Sequence, residues 1–242
     1  MDEVTFHSRL HQPGAILDVG AHDGLLTIPF SCLPDSRVIA FEPLPRAFSR
    51  LAAAMAAAHG GAVPPHVALH AEALGDQSGR ITLSIPVLDG VAQEQWASTA
   101  KDYASYDRGR VAVERLTVPI RTIDSLGLRD LTHIKIDAEG AEYEVLRGAR
   151  DTLLRCRPVI TAEVEERHRA GSTWAVPAYL DALGYDVMFE LGDRWFPVAG
   201  LDRATMQRAS PDPSVFEASD PYVFIFYALP RENAAALLAR LA

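Results

Sequence analysis

Acidic side chains stand at the ends of apolar, strand-like runs in this chain. The first is Asp18, which follows the apolar pair Ile16-Leu17 and precedes the loop 19–24, Val-Gly-Ala-His-Asp-Gly. Gly20 and Gly24 let the backbone turn sharply and let a ligand approach it closely. Asp18 would repel a pyrophosphate in this loop but would stabilise a cation. The pattern therefore predicts a strand, a loop and a helix that bind a positively charged ligand.

The spacing of the two glycines narrows the choice of ligand. Gly20 and Gly24 form Gly-x-x-x-Gly, whereas dinucleotide sites carry Gly-x-Gly-x-x-Gly. S-adenosylmethionine carries an ammonium and a sulfonium and agrees with both the spacing and the acid, so we predict it as the cofactor. An NAD-dependent oxidoreductase is the alternative enzyme, and an ordinary strand-turn-helix without a ligand is the structural alternative.

Two further segments agree with a cofactor that contains a nucleoside. Glu42 ends an apolar run and precedes Pro43, and an acid at the tip of the second strand accepts hydrogen bonds from both ribose hydroxyls in folds of this type. Residues 71–76, Ala-Glu-Ala-Leu-Gly-Asp, follow the third predicted strand. Their small side chains leave room for an adenine, and a turn into a hairpin is compatible with the same residues. The predicted cofactor-binding residues are Asp18, Gly20, Ala21, His22, Gly24, Glu42, Pro43, Ala73, Leu74 and Gly75.

The second half of the chain places a lysine and several acids in one segment, 133–142 (HIKIDAEGAE). Lys135 and Asp137 share one face of the predicted strand, Glu139 follows its end, and Glu163 ends the next strand. We predict that Asp137, Glu139, Lys135 and Glu163 are catalytic. Asp137 acts either as a base for a hydroxyl proton or, with Glu139 and Glu163, as a ligand for Mg²⁺ or another divalent cation. Capping of the following helix is the structural alternative.

Length and composition indicate one α/β domain over residues 1–242, with 48% hydrophobic and 23% charged residues. The net charge of −9 argues against a partner such as nucleic acid or an anionic membrane. No apolar run approaches the about 20 residues of a membrane span, and the acidic opening Asp2-Glu3 is unlike a secretory signal. We therefore expect a cytoplasmic location. The oligomeric state stays open.

Two polar segments are candidates for the acceptor site. Residues 80–122 contain Trp96, Tyr103 and Tyr106 and are long for a connection, so we predict an insertion that covers the substrate. Residues 165–175 look like an active-site loop, in which we interpret His168 as a solvated histidine in preference to a base.

Taken together, these motifs resemble the FkbM family of S-adenosylmethionine-dependent methyltransferases. The segments that carry the resemblance are DVGAHDG (18–24), VIAFEPLP (38–45), ALGD (73–76), VPIRTIDSL (118–126), IKIDAEGAEYEVLRGA (134–149) and RPVITAEVE (157–165).

The resemblance implies a Rossmann-like class I methyltransferase fold, with a seven-stranded, mostly parallel sheet, an antiparallel last strand and helices on both faces. It also implies O-methylation of a small hydroxylated acceptor, commonly a sugar or a natural product. By position, Asp18, Gly20 and Glu42 belong to the cofactor site, and Asp137 and Glu139 to the reaction edge. His22 replaces an asparagine that is frequent in the family. A catalytically silent ligand-binding protein on the same fold is the alternative outside the enzymes.

Overall fold

The computed structural model describes residues 1–99, 112–210, 213–215 and 217–241. The strands are β1 (Gly14–Val19), β2 (Ser36–Phe41), β3 (Val67–His70), β4 (Ala73–Leu74), β5 (Gly79–Leu88), β6 (Val91–Ala92), β7 (Ala112–Arg121), β8 (Leu131–Ile136), β9 (Val159–Glu163), β10 (Tyr185–Leu191), β11 (Arg194–Pro197) and β12 (Ile225–Pro230). The helices are α1 (Glu3–Leu10), α2 (Thr27–Ser31), α3 (Pro45–Ala58), α4 (Glu142–Arg147), α5 (Arg150–Cys156), α6 (Ser172–Ala182), α7 (Arg203–Met206) and α8 (Ala234–Leu241). Within these ranges, no helix has both the length and the apolar character that crossing a membrane requires. The cytoplasmic location stays a prediction.

Eight strands form the main sheet, in the order β11-β10-β12-β9-β8-β1-β2-β3. The strands from β3 to β9 in this order run parallel, and β12 lies antiparallel between β9 and β10. The predicted sheet of seven strands with one antiparallel strand is not confirmed, because this sheet has eight strands and both β12 and β11 run antiparallel to the parallel strands. The additional strand is β11, which pairs antiparallel with β10. Gly192 and Asp193 join the two strands, and both have positive φ (56° and 59°), as a tight hairpin turn requires.

Helices cover both faces of the main sheet because successive apolar side chains of its strands point to opposite faces. On one face, α2 and α3 pack with Ile16 and Val38, while α1 and α8 pack with Tyr227. On the opposite face, α4, α5 and α6 pack with the intervening residues, such as Leu17 and Ile39. This three-layer packing fixes the carboxyl ends of the parallel strands at one edge.

A second sheet has four strands in the order β4-β7-β5-β6. β5 and β7 pair antiparallel from Gly79 to Val87 of β5. Leu83 of β5 packs with Leu44 and Ala47, which lie at the beginning of α3. The described part of residues 80–122 thus belongs largely to this sheet, and its role as an insertion that covers the substrate stays a prediction. Tyr103 and Tyr106 lie outside the described residues.

Two buried histidines link α1 to the main sheet. Nδ1 of His7 lies 3.0 Å from Nδ1 of His133, and Nε2 of His7 lies 3.1 Å from the hydroxyl of Thr161. The histidines are 0% and 1% exposed. Burial is the main cause that lowers the pKa of His7, and it lowers the pKa of His133 to about 3. Both imidazoles are therefore neutral in the folded protein near neutral pH.

We expect acid to destabilise the fold through this pair. The folded-state pKa of His133, about 3, lies below its unfolded value of about 6.5, so the unfolded chain binds more protons between these two values. The contribution of the neutral His133 to the unfolding free energy is fully present above about pH 6.5 and is lost as the pH falls toward the folded-state pKa. In His133→Gln, the loss of unfolding free energy between about pH 6.5 and about pH 4 should be smaller by about 3 kcal/mol.

Urea unfolding at a series of pH values measures this difference. The matched control is His66→Gln, which makes the same substitution at an exposed histidine outside the buried pair, where Nε2 lies 3.0 Å from the carbonyl oxygen of Ser31. Equal pH dependence in the parent and His133→Gln would contradict the assignment of the acid sensitivity to the buried pair.

Candidate active site

A cleft of about 610 Å³ opens at the carboxyl ends of β1, β2, β8 and β9. The strand order reverses here, because β2 and β3 lie on one side of β1 while β8 and β9 lie on the other. Open α/β sheets bind ligands at such a switch point. The predicted site residues that line the cleft are Asp18, Gly20, Ala21, His22, Glu42, Pro43, Ala73, Leu74, Gly75, Lys135, Asp137, Glu139 and Glu163.

The loop after β1 lies directly against the chain that follows β8. Gly20 has a φ of 74°, and a Cβ atom at this position would lie 1.8 Å from the carbonyl oxygen of Asp137. The amide of Asp137 donates to the carbonyl of Val19 over 3.0 Å. Gly24, which does not line the cleft, has a φ of 92° and faces the side chain of Leu51. Gly20 thus permits the contact between the two loops, while Gly24 shapes the turn into α2.

Lys135 stands between two aspartates in the floor of the cleft. Its Nζ lies 3.7 Å from Asp18 and 3.8 Å from Asp137, and it donates to the carbonyl of Gly20 over 2.9 Å. Burial alone would lower the pKa of Lys135, but Asp137 and Asp18 outweigh it, so its pKa is raised. Oδ2 of Asp18 also accepts from the hydroxyl of Thr27 over 2.6 Å. Lys135 thus links the acid after β8 to the acid of β1.

Glu42 is held at the end of β2 by two backbone donors. The amide of His22 donates to its Oε2 over 2.8 Å, and the amide of Leu44 donates to its Oε1 over 2.9 Å. The residue is 4% exposed. Burial raises its pKa, and the two hydrogen bonds act against this shift. Each oxygen keeps a second lone pair, so Glu42 presents two fixed acceptors in the lining of the cleft.

The segment 73–75 connects the two sheets. Ala73 and Leu74 form β4, which pairs parallel with β7. A Cβ atom on Gly75 would lie 2.7 Å from the side chain of Ile120. A Cβ atom on Gly148 would lie 1.9 Å from the backbone carbonyl oxygen of Gly75, so the two backbones are in close contact. The segment therefore begins the second sheet, while it also lines the cleft beside Glu42 and the glycine loop.

A tight turn after β8 directs the acids of the second motif. Glu139 has a φ of 50°, a left-handed conformation that is uncommon for a residue other than glycine. Oε1 of Glu142 stabilises the turn by accepting from the amides of Ala138 and Gly140 over 3.0 and 2.9 Å. Oδ1 of Asp137 is buried and has no hydrogen-bond partner among the described residues. Glu142 is therefore the residue that caps this turn, while Asp137 and Glu139 line the cleft.

Glu163, at the end of β9, is an acid with a strongly altered pKa. Burial is the largest cause that raises the pKa of Glu163, and the charge of Asp137 and the contact with Glu165 raise it further. Its carboxyl group therefore keeps its proton near neutral pH and can donate a hydrogen bond. Of the predicted catalytic residues, Glu163 is thus suited to a donor role and not to that of a base.

Residues of the predicted active-site loop 165–175 form a buried cluster behind this edge, whose contacts the sequence did not indicate. The side chain of Glu165 is 0% exposed. It accepts two hydrogen bonds from the guanidinium of Arg167 and one from the hydroxyl of Tyr222. Nε2 of His168 lies 3.1 Å from Glu165 and 3.4 Å from Glu139. Although burial would raise the pKa of Glu165, Arg167 and Tyr222 outweigh it, and the pKa is lowered. His168 is 7% exposed, so its interpretation as a solvated histidine is wrong.

The ligand atoms of Glu163, Glu165 and His168 lie within 4.8 Å of one another, a spacing compatible with a metal ion. Of the predicted metal ligands, this group includes Glu163 but neither Asp137 nor Glu139. Glu165 already accepts hydrogen bonds from Arg167, which competes with a cation. A metal role for Asp137, Glu139 and Glu163 stays a prediction.

Glu3 is a further residue of the cleft that no sequence motif indicated. It lies at the beginning of α1 and lines the cleft together with the residues after β1 and β8. Its Oε1 is buried without a hydrogen-bond partner among the described residues. Burial raises its pKa, while a hydrogen bond to Thr161 and the charge of Lys135 lower it.

Comparisons with known proteins agree with the fold and the motifs. The model of the methyltransferase FkbM domain matches residues 18–187. The 2-O-methyltransferase NoeI of Sinorhizobium fredii is 30% identical over 164 residues, which are 64% of this chain and 65% of NoeI. The crystal structure of methyltransferase FkbM from Methylobacillus flagellatus superposes with a TM-score of 0.55 at 16% identity, covering 89% of this chain and 43% of that one. A Streptococcus mutans protein in complex with SAH has a TM-score of 0.50 at 11% identity, covering 93% and 94%.

The sheet order and the switch-point cleft define a Rossmann-like α/β fold of the methyltransferase type. The family model covers more than half of the chain, and the chain therefore belongs to the FkbM methyltransferase family. It spans about two thirds of the length of NoeI and less than half of the Methylobacillus chain.

Proposed function

We propose that this protein transfers a methyl group from S-adenosylmethionine to a hydroxyl group of a small molecule of the sugar or natural-product class. The observation that carries the proposal is the single cleft that brings Glu42 and the glycine loop together with Asp137 and Glu139. The name of NoeI, a 2-O-methyltransferase, supports oxygen as the acceptor. The SAH in the Streptococcus mutans structure supports the cofactor.

The residues of the cleft fit this cofactor. Glu42 offers one remaining lone pair on each of two fixed oxygens, which suits a ribose diol. The glycine loop leaves the backbone open to close approach. Oδ1 of Asp18 lies 3.7 Å from Nζ of Lys135 but has no hydrogen-bond partner among the described residues, so it can still accept from an ammonium group. When bound, S-adenosylmethionine supplies an electrophilic methyl group and leaves as the neutral thioether S-adenosylhomocysteine.

Asp137 is the proposed base. Its Oδ1 lacks a hydrogen-bond partner among the described residues, while its Oδ2 lies 3.8 Å from the ammonium of Lys135. Asp137 would take the proton of the acceptor hydroxyl during methyl transfer, while the O–H of the protonated Glu163 is held by its hydrogen bond to Glu165. A divalent cation bound by Asp137, Glu139 and Glu163 is the alternative source of activation.

Charge and shape limit the acceptor. Ile81, Leu83 and Trp96 give one wall of the cleft an apolar surface, and the acids of the reaction edge line another part. An anionic acceptor such as a phosphate ester or nucleic acid would meet like charges. We therefore favour a neutral or cationic small molecule.

Isothermal calorimetry separates this proposal from an NAD-dependent oxidoreductase. We expect S-adenosylmethionine and S-adenosylhomocysteine to bind at one site per chain, while NAD gives no binding heat, because Asp18 and the Gly-x-x-x-Gly spacing disfavour a pyrophosphate. Binding of NAD without binding of S-adenosylmethionine would overturn the proposal. A ligand-binding protein without activity would bind the cofactor but transfer no methyl group.

A further inference from the structure

We propose that His168 is a positioning residue that holds the carboxylate of Glu139 in the cleft as a binding group for a second polar group of the acceptor, next to the hydroxyl that is methylated. This inference rests on the proposed function, because it concerns the acceptor of that reaction. It assigns a role to a buried histidine outside the cleft and separates Glu139 from Asp137.

The contacts of His168 determine which of its atoms carries a hydrogen. Nε2 lies 3.1 Å from Oε1 of Glu165 and 3.4 Å from Oε2 of Glu139. Glu165 is ionised because it accepts from both Arg167 and Tyr222. A nitrogen between two carboxylates must carry the hydrogen, because an ionised carboxylate has none to donate. Nε2 of His168 therefore carries the hydrogen. Glu165 is the nearer carboxylate and fixes the ring, and Glu139 is the second carboxylate that this N–H group faces.

The backbone around Glu139 supports the same arrangement. Glu139 has a φ of 50°, where a glycine would be less strained. The hydroxyl of Ser98 donates to the carbonyl of Glu139 over 2.6 Å, and the amides on both sides of it, at 138 and 140, are bound by Glu142. The turn is thus fixed on both sides, and the side chain of Glu139 is 18% exposed in the cleft lining.

A positioned carboxylate in this place binds an acceptor without taking part in the chemistry. Glu139 accepts a hydrogen bond from a hydroxyl or ammonium group of the acceptor, while Asp137 takes the proton of the reacting hydroxyl. Loss of the His168 donor should therefore raise the KM of the acceptor and leave kcat nearly unchanged. A general structural role would instead lower stability and all kinetic constants together.

The kinetic test uses conservative and disruptive variants with a panel of hydroxylated acceptors. His168→Gln keeps an N–H donor near the position of Nε2, and its acceptor KM should stay within about threefold of the parent. His168→Leu removes the donor, and KM should rise about tenfold or more. Glu139→Gln should raise KM similarly, and His168→Leu/Glu139→Gln should be no worse than Glu139→Gln alone. Equal effects of Gln and Leu at position 168, a fall in kcat with unchanged KM, or additive effects in the double variant would overturn the proposal.

A second readout does not depend on turnover. In protein labelled with ¹⁵N-histidine, the ring signals of His168 are assigned by their loss in His168→Gln. Glu139→Gln should shift these signals, whereas Glu144→Gln should not, since Glu144 lines the same cleft but pairs with Arg169. Unshifted signals in Glu139→Gln would overturn the proposal. If the signals shift but no acceptor is methylated by protein that binds S-adenosylmethionine, the proposed function fails while the link between His168 and Glu139 stands.

Discussion

Replacing Asp137 with Asn should lower turnover by on the order of a hundredfold or more, because the acceptor hydroxyl loses its base. Asn has nearly the same shape, so the contact between the loops after β1 and β8, which the backbone of residue 137 makes, should survive. Affinity for S-adenosylmethionine should fall much less, since Asp18, Gly20 and Glu42 lie at the ends of β1 and β2. Initial rates with saturating cofactor, together with calorimetry, measure both quantities.

The matched control is Asp76→Asn, which changes another aspartate of the cleft lining that pairs with Arg147 over 3.4 Å. This variant should keep turnover within about threefold of the parent. A chelator distinguishes the two roles of the acids at the reaction edge: a base is indifferent to it, whereas a metal site loses activity and regains it with Mg²⁺ or Mn²⁺. Turnover of Asp137→Asn within a few-fold of the parent, in a folded protein, would leave Asp137 without a catalytic role.

Glu42→Gln should weaken the binding of S-adenosylmethionine by about 1–3 kcal/mol. Both oxygens of Glu42 accept from backbone amides, of His22 and of Leu44. A glutamine at this position must therefore turn its NH₂ group toward one N–H donor, which removes one hydrogen bond and disturbs the loop that carries His22. The change also removes one acceptor for a ribose hydroxyl.

Calorimetry with S-adenosylhomocysteine on the parent and on Glu42→Gln measures this loss without turnover. Glu94→Gln is the control, because Glu94 lines the cleft but pairs with Arg50 over 3.1 Å. We expect its affinity to equal that of the parent. Unchanged affinity in Glu42→Gln would remove Glu42 from the ribose site.

The strand-end motifs could be predicted from sequence because their signals are local. Asp18 and Glu42 each follow an apolar run and precede a glycine or proline, so the strand, its end and the acid all lie within a few residues. The parallel pairing of β1 with β2 and β8 then brings these ends together. The extra strand β11 was missed, although Gly192-Asp193 between two apolar runs is itself a hairpin signal.

The partners of the charged residues could not be predicted in the same way. Glu3 enters the cleft through the packing of α1 on the sheet, a contact between distant parts of the chain that leaves no pattern near residue 3. The burial of His168 depends on Glu165 and on Tyr222, which lies 57 residues beyond Glu165. A histidine in a polar stretch carries no sign of such a partner, and solvation was the natural expectation.

The most direct test of the central claim is a methyl-transfer assay with methyl-labelled S-adenosylmethionine and a panel of sugars, polyols and other hydroxylated small molecules. We expect label to appear as a methyl ether on a hydroxyl group of at least one acceptor, with one S-adenosylhomocysteine formed for each methyl transferred. The Asp137→Asn variant, prepared and assayed in the same way, should form far less methylated product. Cofactor binding without transfer of label to any acceptor, or label found on nitrogen or carbon alone, would contradict the account.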